Sequence, residues 1–207
     1  MNLYLIRHGQ TDWNVAGKIQ GKTDIPLNET GKRQAACLAR GMEKRPVVQI
    51  YTSSLKRALE TAEIIGRRQN VKVKPMKELE EVGFGQWEGC TNEEIKRQYP
   101  REFEMWWDDP LALAPCGGEN QEQIRARCRQ AMETILSQAC GDLAVVSHGA
   151  TLAYIIEYLM RDDPMSEGII VGNSSITTIE FDPLTGKTQM VQQNDSSHLK
   201  EMTLQEL

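Results

Sequence analysis

The chain has 207 residues, of which 40% are hydrophobic and 26% charged, as in a globular protein with a substantial core. Its formal net charge of −5 excludes a general nucleic-acid binder, because that function needs a basic face. The five cysteines are odd in number and form no C-x-x-C pair, which excludes a disulfide framework and a zinc ribbon.

The first residues start directly with a predicted strand and lack the basic region and apolar stretch of a signal peptide. Every apolar run is far shorter than the ~20 residues that a membrane-spanning helix needs. We therefore expect a cytoplasmic protein with no membrane partner. Its oligomeric state stays open between monomer and homodimer.

The predicted elements alternate between strands and helices from the first residues onward. Residues 2–6 form a short apolar run that predicts a buried strand, and Arg7, His8 and Gly9 follow it directly. A helix is predicted over about 31–43, where apolar residues recur at helical spacing.

The next unit starts with a strand predicted over 47–51, which leads into the hydroxyl residues 52–54. A serine hydroxyl there can cap the following helix, predicted over about 55–69. Residues 71–73 alternate between apolar and polar in the way of a short strand.

The segment from about 79 to 118 differs in composition from the rest of the chain. It holds three of the four tryptophans and several prolines that interrupt regular structure. A long insertion of short helices is typical of a lid over an active site. The alternative is a subdomain whose aromatic residues pack against the sheet, and Trp106 and Trp107 fit either role.

The second half of the chain continues the alternation of helices and strands. We predict a long helix over about 119–139, a strand over 143–147, a helix over about 149–160 and two further strands over 175–181 and 188–192. The polar tail after Asn194 is expected to be loosely held. The pattern as a whole predicts a single α/β domain over residues 1–207. This domain is a three-layer, doubly wound, mostly parallel sheet, with helices on both faces and a helical lid insertion.

Two histidines share one context, in which an apolar strand is followed by histidine and then by glycine. These are His8 and His148, and the carboxyl edge of a parallel sheet, where both would lie, is where ligands bind. Arg7 adjoins the first ring, and Arg57 lies near the start of a helix that follows another strand end. The N–H groups at the start of the helix after His148 would form a natural anion site. Together, the two histidines, the two arginines and these N–H groups predict a site for a phosphate group.

Phosphoryl transfer needs fixed cations around one point, a nucleophile and a proton donor. Arginine is suited to supply the fixed cations, because its planar guanidinium group can bind two phosphate oxygens at once and stays charged. The same positive field lowers the pKa of His8, so this ring stays neutral and nucleophilic near pH 7, as a phosphohistidine intermediate requires. With the dianion bound, His148 can carry a proton and act as a further cation.

An alcohol leaving group must be protonated as it departs. We select Glu81 as the donor, because the neighbouring Phe84 and Trp87 would raise the pKa of its carboxyl group. Glu80 and Glu88 are alternatives, and spacing alone does not choose among the three carboxylates.

From residue 5 to residue 14 the chain reads Leu-Ile-Arg-His-Gly-Gln-Thr-Asp-Trp-Asn, which resembles the histidine phosphatase superfamily, phosphoglycerate mutase-like branch. Further motifs occur in the family's order at residues 20–27, 52–62, 81–89, 118–119 and 147–149. Any one motif is weak, but the ordered set is highly specific and spans most of the chain.

The resemblance implies that His8 becomes phosphorylated. It also implies that Arg7, Arg57 and His148 form the phosphate pocket together with Asn14. The family needs no metal for this chemistry, and the resemblance implies no cofactor.

The resemblance also places Glu81 on the position of the family's proton donor. Gln20, Gly21 and Thr23 fall near the substrate mouth and are candidate substrate-binding residues. Gly149 is a further candidate phosphate-binding residue, through its N–H group at the helix start.

Cofactor-dependent mutases of this superfamily are usually longer and carry an Arg-His-Tyr-Gly stretch after the proton donor, whereas residues 83–89 here read GFGQWEG. The chain looks like the phosphatase branch, similar to broad-specificity or alpha-ribazole phosphatases. We predict a metal-independent phosphomonoester hydrolase of the histidine acid phosphatase type, which acts through phosphohistidine on a small phosphorylated metabolite. The alternatives are a cofactor-dependent phosphoglycerate mutase and a non-catalytic module that binds phosphorylated ligands.

Overall fold

The computed structural model describes residues 1–108, 115–161, 169 and 171–202. The strands are β1 (Asn2–Arg7), β2 (Gln49–Ser53), β3 (Val73–Met76), β4 (Leu143–Ser147), β5 (Ile176–Phe181) and β6 (Thr188–Asp195). They form one six-stranded sheet in the order β3-β2-β4-β1-β5-β6.

The helices lie between these strands. They are α1 (Asp12–Val15), α2 (Glu29–Gly41), α3 (Lys56–Gln69), α4 (Asn92–Gln98), α5 (Pro100–Asp108), α6 (Gln121–Ser137) and α7 (Gly149–Leu159). Short 3-10 helices cover Met42–Lys44, Lys77–Leu79, Gly85–Trp87 and Ser197–Glu201. In the ranges that the structure describes, no helix combines the length and the apolar character needed to cross a membrane.

The sheet is mixed, with a parallel majority. The pairs β1–β4, β2–β4 and β2–β3 are parallel, whereas β5 runs antiparallel to β1, and β6 runs antiparallel to β5. The predicted α/β class is therefore confirmed. The short turn between β5 and β6 requires these two strands to be antiparallel, because parallel neighbours need a longer crossover connection.

Helices cover both faces of the sheet, as alternate residues of the central strand β1 illustrate. Leu3 and Leu5 belong to the core on the face that carries α6 and α7. Tyr4 and Ile6 belong to the core on the opposite face, with α2 and α3. Because successive side chains of a strand point to opposite faces, a strand buried on both sides is apolar at consecutive positions.

The register of β1 and β4 sets the position of the candidate site. Arg7 pairs with Ser147 in this parallel ladder, so the next residues, His8 and His148, leave the same edge of the sheet side by side. The backbone N–H of His8 donates to the carbonyl of Ser147 at 3.0 Å, which continues the ladder by one residue.

Several predicted boundaries were wrong by about two residues. Helix α2 begins earlier than expected because the side chain of Asn28 caps it, accepting a hydrogen bond from the N–H of Gly31. The strand predicted over 71–73 starts only at Val73. This shift arises because Asn70, with a φ of 55°, ends α3 in a left-handed turn.

The predicted serine cap of α3 was also wrong. The N-cap residue is Leu55, which makes no side-chain capping hydrogen bond. The hydroxyl of Ser53 accepts from the N–H of Leu55, one position too early to satisfy the N–H groups within the helix.

The expectation of a loosely held tail is wrong for the residues that the structure describes. Strand β6 continues to Asp195, whose carboxylate lies 2.7 Å from Nη2 of Arg45. Farther along, His198 Nε2 donates to the carbonyl of Ser174 at 2.8 Å, and Met202 is buried.

The segment 79–118 has an aromatic cluster of its own. Trp87, Ile95 and Phe103 are buried in it, and Trp106 meets Trp87 edge-on with 5.8 Å between ring centroids. Trp106 therefore packs within the segment. Residues 109–114 and the side chain of Trp107 lie outside the described part, so its lid role stays a prediction.

Candidate active site

His8 is almost fully buried at the end of β1, and one hydrogen bond fixes the roles of its two ring nitrogens. Nδ1 lies 2.7 Å from the carbonyl oxygen of Gly9, which can only accept, so Nδ1 carries the proton. Nε2 therefore keeps its lone pair. Burial lowers the pKa of His8 well below its usual value, and the guanidinium charges of Arg7 and Arg57 lower it further. The neutral ring of the sequence prediction agrees with this environment.

His148 lies beside His8, with 5.1 Å between the ring centroids. Its Nδ1 accepts a hydrogen bond from Arg57 Nε at 3.1 Å, so the proton is on Nε2, which donates to the hydroxyl of Ser53 at 2.8 Å. Burial lowers the pKa of His148 well below its usual value, and Arg57 adds to the effect. Both rings are thus neutral and differ in tautomer.

Arg57 is fully buried, and its three guanidinium nitrogens have neutral partners. Besides His148, it donates to the carbonyl of Thr23 at 2.9 Å and to the carbonyl of Gly21 at 2.7 Å. Burial lowers the pKa of Arg57, and the charge of Glu81 opposes this change. Because all three direct hydrogen-bond partners of this buried cation are neutral, the site strongly favours an anion nearby.

Arg7 contributes a second guanidinium group. Its Nη1 donates to the carbonyl of Val171 at 2.6 Å, whereas its Nε is buried and has no hydrogen-bond partner among the described residues. Gly149 packs against this group, since a Cβ atom at position 149 would lie 3.4 Å from Cζ of Arg7. The glycine thus leaves space for the arginine.

Glu81 lies at the N-terminus of α7, where its carboxylate accepts several hydrogen bonds. The N–H groups of Val82 and Thr151 each lie 3.0 Å from Oε1, and the N–H of Ala150 lies 3.4 Å from Oε2. The predicted anion site at this helix start therefore exists, but the anion in it is Glu81. Burial lowers the pKa of Arg7 as it does that of Arg57, and the charge of Glu81 opposes this shift in both groups.

Of the two residues predicted to give Glu81 apolar surroundings, Trp87 belongs to the aromatic cluster, whereas a contact with Phe84 stays a prediction. Trp87 packs with Ile95 and Phe103, and the carboxylate of Glu81 accepts hydrogen bonds from N–H and hydroxyl donors. Proximity in sequence was misleading here, because the 3-10 helix Gly85–Trp87 turns the indole into the aromatic cluster.

The two alternative carboxylates have other contacts. Glu80 accepts from the hydroxyl of Ser54. Glu88 accepts from the N–H groups of Lys22 and Thr23 and from the hydroxyl of Thr23, the last at 2.6 Å. Glu88 therefore holds the loop whose carbonyl groups bind the buried arginine of α3. Of the three carboxylates, Glu81 is the one whose charge acts on both Arg7 and Arg57.

Asn14 and Gln20 lie next to the site and bind the same short loop. Oε1 of Gln20 accepts from the hydroxyl of Thr11 at 2.9 Å. Oδ1 of Asn14 accepts from the N–H of Thr11 at 3.1 Å and from Asn173 Nδ2 at 3.3 Å. Direct contact of Asn14, Gln20 or Thr23 with a substrate stays a prediction.

Sequence reasoning missed Ser53, Thr151 and Asn173. Ser53 ends β2 beside β4, so its place at a strand end was a usable signal. Asn173, whose Nδ2 donates to the carbonyl of His8 at 3.0 Å, offered none. Within the described residues, no group of three or more His, Cys, Asp or Glu side chains could hold a metal ion.

Comparisons with known proteins identify the family of the chain. The family described as histidine phosphatase superfamily (branch 1) matches residues 3–196. Phosphoserine phosphatase 1 of Hydrogenobacter thermophilus is 33% identical over 149 residues, 72% of this chain and 71% of that protein. Glucosyl-3-phosphoglycerate phosphatase of Mycobacterium tuberculosis is 32% identical over 168 residues, 77% and 75% of the two chains.

A solved structure, that of YhfR from Bacillus stearothermophilus, superposes with a TM-score of 0.86 at 34% identity. The superposition covers 96% of this chain and 98% of that one, so the likeness includes the whole fold. These relatives support a phosphatase, and the chain belongs to branch 1 of the histidine phosphatase superfamily.

Proposed function

We propose that this protein is a metal-independent phosphomonoester hydrolase that works through a phosphohistidine at His8. The observation that carries the proposal is the free Nε2 lone pair of His8 beside two guanidinium groups. A neutral imidazole is the nucleophilic form, and fixed cations around it stabilise a phosphoryl group in transit.

In the first step, Nε2 of His8 attacks phosphorus, and the bond between phosphorus and the ester oxygen breaks. The electron pair leaves with that oxygen, which takes a proton from Glu81 as the alcohol departs. Arg7 and Arg57 stabilise the charge on the equatorial oxygens, for which the unpartnered Nε of Arg7 is a ready donor. The proton on Nδ1 stays with the carbonyl of Gly9.

In the second step, water attacks phosphorus and gives a proton to the Glu81 carboxylate. The bond to His8 breaks, its electron pair returns to Nε2, and inorganic phosphate leaves. Both residues regain their starting states. Protonation of His148 during the cycle would require Arg57 Nε to leave Nδ1, and a phosphate oxygen that accepts from Arg57 would produce that change.

The substrate class follows from the relatives and from the charge of the site. Two relatives are named for phosphoserine and for glucosyl-3-phosphoglycerate, both small phosphate monoesters of hydroxyl compounds. We assign this chain a small phosphorylated metabolite of the same kind. The segment 79–118 supplies Glu81, and we assign the rest of it to a lid over the leaving group.

The test is phosphoenzyme trapping in the presence of a metal chelator. Wild-type protein is mixed with phenyl phosphate, quenched in alkali to protect phosphohistidine, and mapped by mass spectrometry. We expect phosphate on His8 and turnover that the chelator leaves intact. The variant His8→Asn should lose labelling and about 10³-fold or more in kcat/KM, because the nucleophile is gone.

The matched control is His198→Gln, which changes the histidine outside the site and should retain labelling. Loss of turnover with the chelator, or full activity in His8→Asn, would overturn the proposal. Interconversion of 2- and 3-phosphoglycerate faster than their hydrolysis would instead indicate a mutase.

A further inference from the structure

Thr151 is a fully buried threonine in the first turn of α7, and its hydroxyl lies between two oxygens of the neighbouring segment. Oγ1 is 2.7 Å from the carbonyl oxygen of Glu80 and 3.1 Å from Oε1 of Glu81. Its backbone N–H also points at Oε1, from 3.0 Å. One residue therefore presents both a fixed donor and a hydroxyl to the candidate proton donor.

The hydroxyl has a single proton, and the two oxygens compete for it. The carbonyl of Glu80 is an obligate acceptor at the shorter distance, so the proton of Thr151 points there. Oγ1 then turns a lone pair toward Oε1 of Glu81. A lone pair in that place is complementary to a protonated carboxyl group, which can donate to it, whereas the backbone N–H groups favour the ionised form.

When Glu81 is ionised, the hydroxyl can rotate and donate to Oε1 instead. A rotating hydroxyl thus serves both protonation states without movement of heavy atoms. This is the requirement on an acid that gives its proton to the leaving oxygen and recovers one from water.

A second contact network fixes the main chain on both sides of Glu81. Arg127 Nη1 donates to the carbonyls of Glu78 and Glu80, each at 2.9 Å. Its Nε and Nη2 form a fork on Glu119, at 2.9 and 3.1 Å, and Glu119 accepts from the N–H of Gly83 at 2.8 Å. Nη2 of Arg127 is also 3.5 Å from the threonine hydroxyl, where it can only donate. This contact again favours Oγ1 as an acceptor.

We propose that Thr151 is the positioning residue of the general acid: its hydroxyl accepts a hydrogen bond from the protonated carboxyl of Glu81 and so holds the acid form ready for the leaving oxygen, within the frame made by Arg127 and Glu119. The inference rests on the proposed function, because it takes Glu81 as the proton donor. It predicts a defect confined to the step in which the leaving group takes up a proton.

The test compares two substrates that differ in their need for that proton. Phenyl phosphate releases a basic phenolate, whereas 2,4-dinitrophenyl phosphate releases a stable anion that needs little protonation. We measure kcat/KM, which reports the steps up to phosphoenzyme formation. The variant Thr151→Val keeps the shape and removes the hydroxyl, and it should lose about 10- to 100-fold on phenyl phosphate but far less on the dinitro substrate.

Thr151→Ser is the conservative control, because it restores the hydroxyl in the same place and should recover most of the loss. Should valine unfold the protein, as circular dichroism would reveal, Thr151→Ala carries the same comparison. The proposal would be overturned if Thr151→Val lost activity equally on both substrates or lost none. It would also be overturned if Thr151→Ser failed to recover activity on phenyl phosphate.

The variant Glu81→Gln distinguishes a failure of the role of Thr151 from a failure of the proposed role of Glu81 as the general acid. If Glu81 is the acid, this variant has a larger leaving-group dependence than Thr151→Val. A glutamine variant with equal losses on both substrates would refute the role of Glu81 itself. If Glu81→Gln shows the expected leaving-group dependence but Thr151→Val loses equally on both substrates, only the role of Thr151 is refuted.

Discussion

At the scale of single residues, the site depends on hydrogen bonds that select one nitrogen from each ring. The carbonyl of Gly9 holds the proton of His8 on Nδ1, and Arg57 holds the proton of His148 on Nε2. The arginine is therefore more than a charge, because it also sets a tautomer. A lysine could supply the charge, but its three donors sit on one nitrogen and cannot replace donors on the three nitrogens of a rigid planar group.

We expect Arg57→Lys to lower kcat/KM by about 10²–10³-fold, the cost typical of losing one donor aimed at developing charge. The ammonium group cannot reach His148, Gly21 and Thr23 at once, so the carbonyl groups lose their partner. Steady-state kinetics and inhibition by inorganic phosphate check this expectation. The control is Arg67→Lys in the same helix, on an exposed ion pair, and similar losses in both variants would contradict it.

The positions of the histidines and of Arg57 were predictable, and the reason is geometric. Apolar runs that end in His-Gly mark strand ends, and parallel strands bring their carboxyl ends to one edge. The setting of Glu81 was not predictable. Its donor Thr151 is 70 positions further along the chain, and no periodicity or spacing connects the two.

At the scale of elements, the loop around residues 20–24 links the two halves of the site. Its carbonyl groups hold Arg57, while Glu88 binds its N–H groups at Lys22 and Thr23 and also accepts from the N–H of Phe84. One carboxylate thus ties this loop to the segment 79–118. Sequence analysis included Glu88 among the candidate acids because a carboxylate can be read from the sequence. The four hydrogen-bond donors that occupy it can be identified only in the folded structure.

Glu88→Gln should lower the free energy of unfolding by about 1–3 kcal/mol, because a neutral amide accepts fewer hydrogen bonds than a carboxylate and leaves N–H groups unpaired. We also expect a lower kcat/KM, through displacement of the carbonyl partners of Arg57. Urea denaturation and kinetics measure the two effects. Glu93→Gln on the exposed side of α4 is the control, and equal stability of the two variants would contradict the role of Glu88.

Element boundaries failed where side chains override local preference. Asn28 starts α2 before the glycine that suggested its beginning, and Asn70 ends α3 and delays β3. The tail was expected to be loose because it is polar. It is held by contacts of Asp195 and His198 with residues far away in sequence, which composition does not encode.

At the scale of the whole molecule, the buried histidines make stability depend on pH. Burial lowers the pKa of His8, His148 and His198, so the unfolded chain binds more protons than the folded one below pH ~6.5. Asp195 affects stability in a lower pH range. Burial raises its pKa, but hydrogen bonds from Ser197 and Arg45 outweigh this and lower it to about 2. Its contribution is lost only as the pH falls below about 4.

We therefore expect the free energy of unfolding to decrease as the pH falls from 7 to 5, in phosphate-free buffer. Each histidine that stays neutral when folded contributes up to about 1.4 kcal/mol per pH unit. Urea denaturation across this range measures the slope. His8→Asn should reduce the slope by about one proton, and an unchanged slope in this variant would contradict the buried neutral state.

The position of β1 has a consequence for how the molecule is made. This strand opens the chain, yet its two neighbours in the sheet are β4 and β5, which begin at Leu143 and Ile176. Because synthesis runs from the N-terminus, we expect β1 to remain without either neighbour until β4 has been synthesised. A chain released before Ile176 carries both histidines but lacks the antiparallel neighbour of β1. We therefore expect the edge of the sheet that carries His8 and His148 to be complete only after β5 has been synthesised.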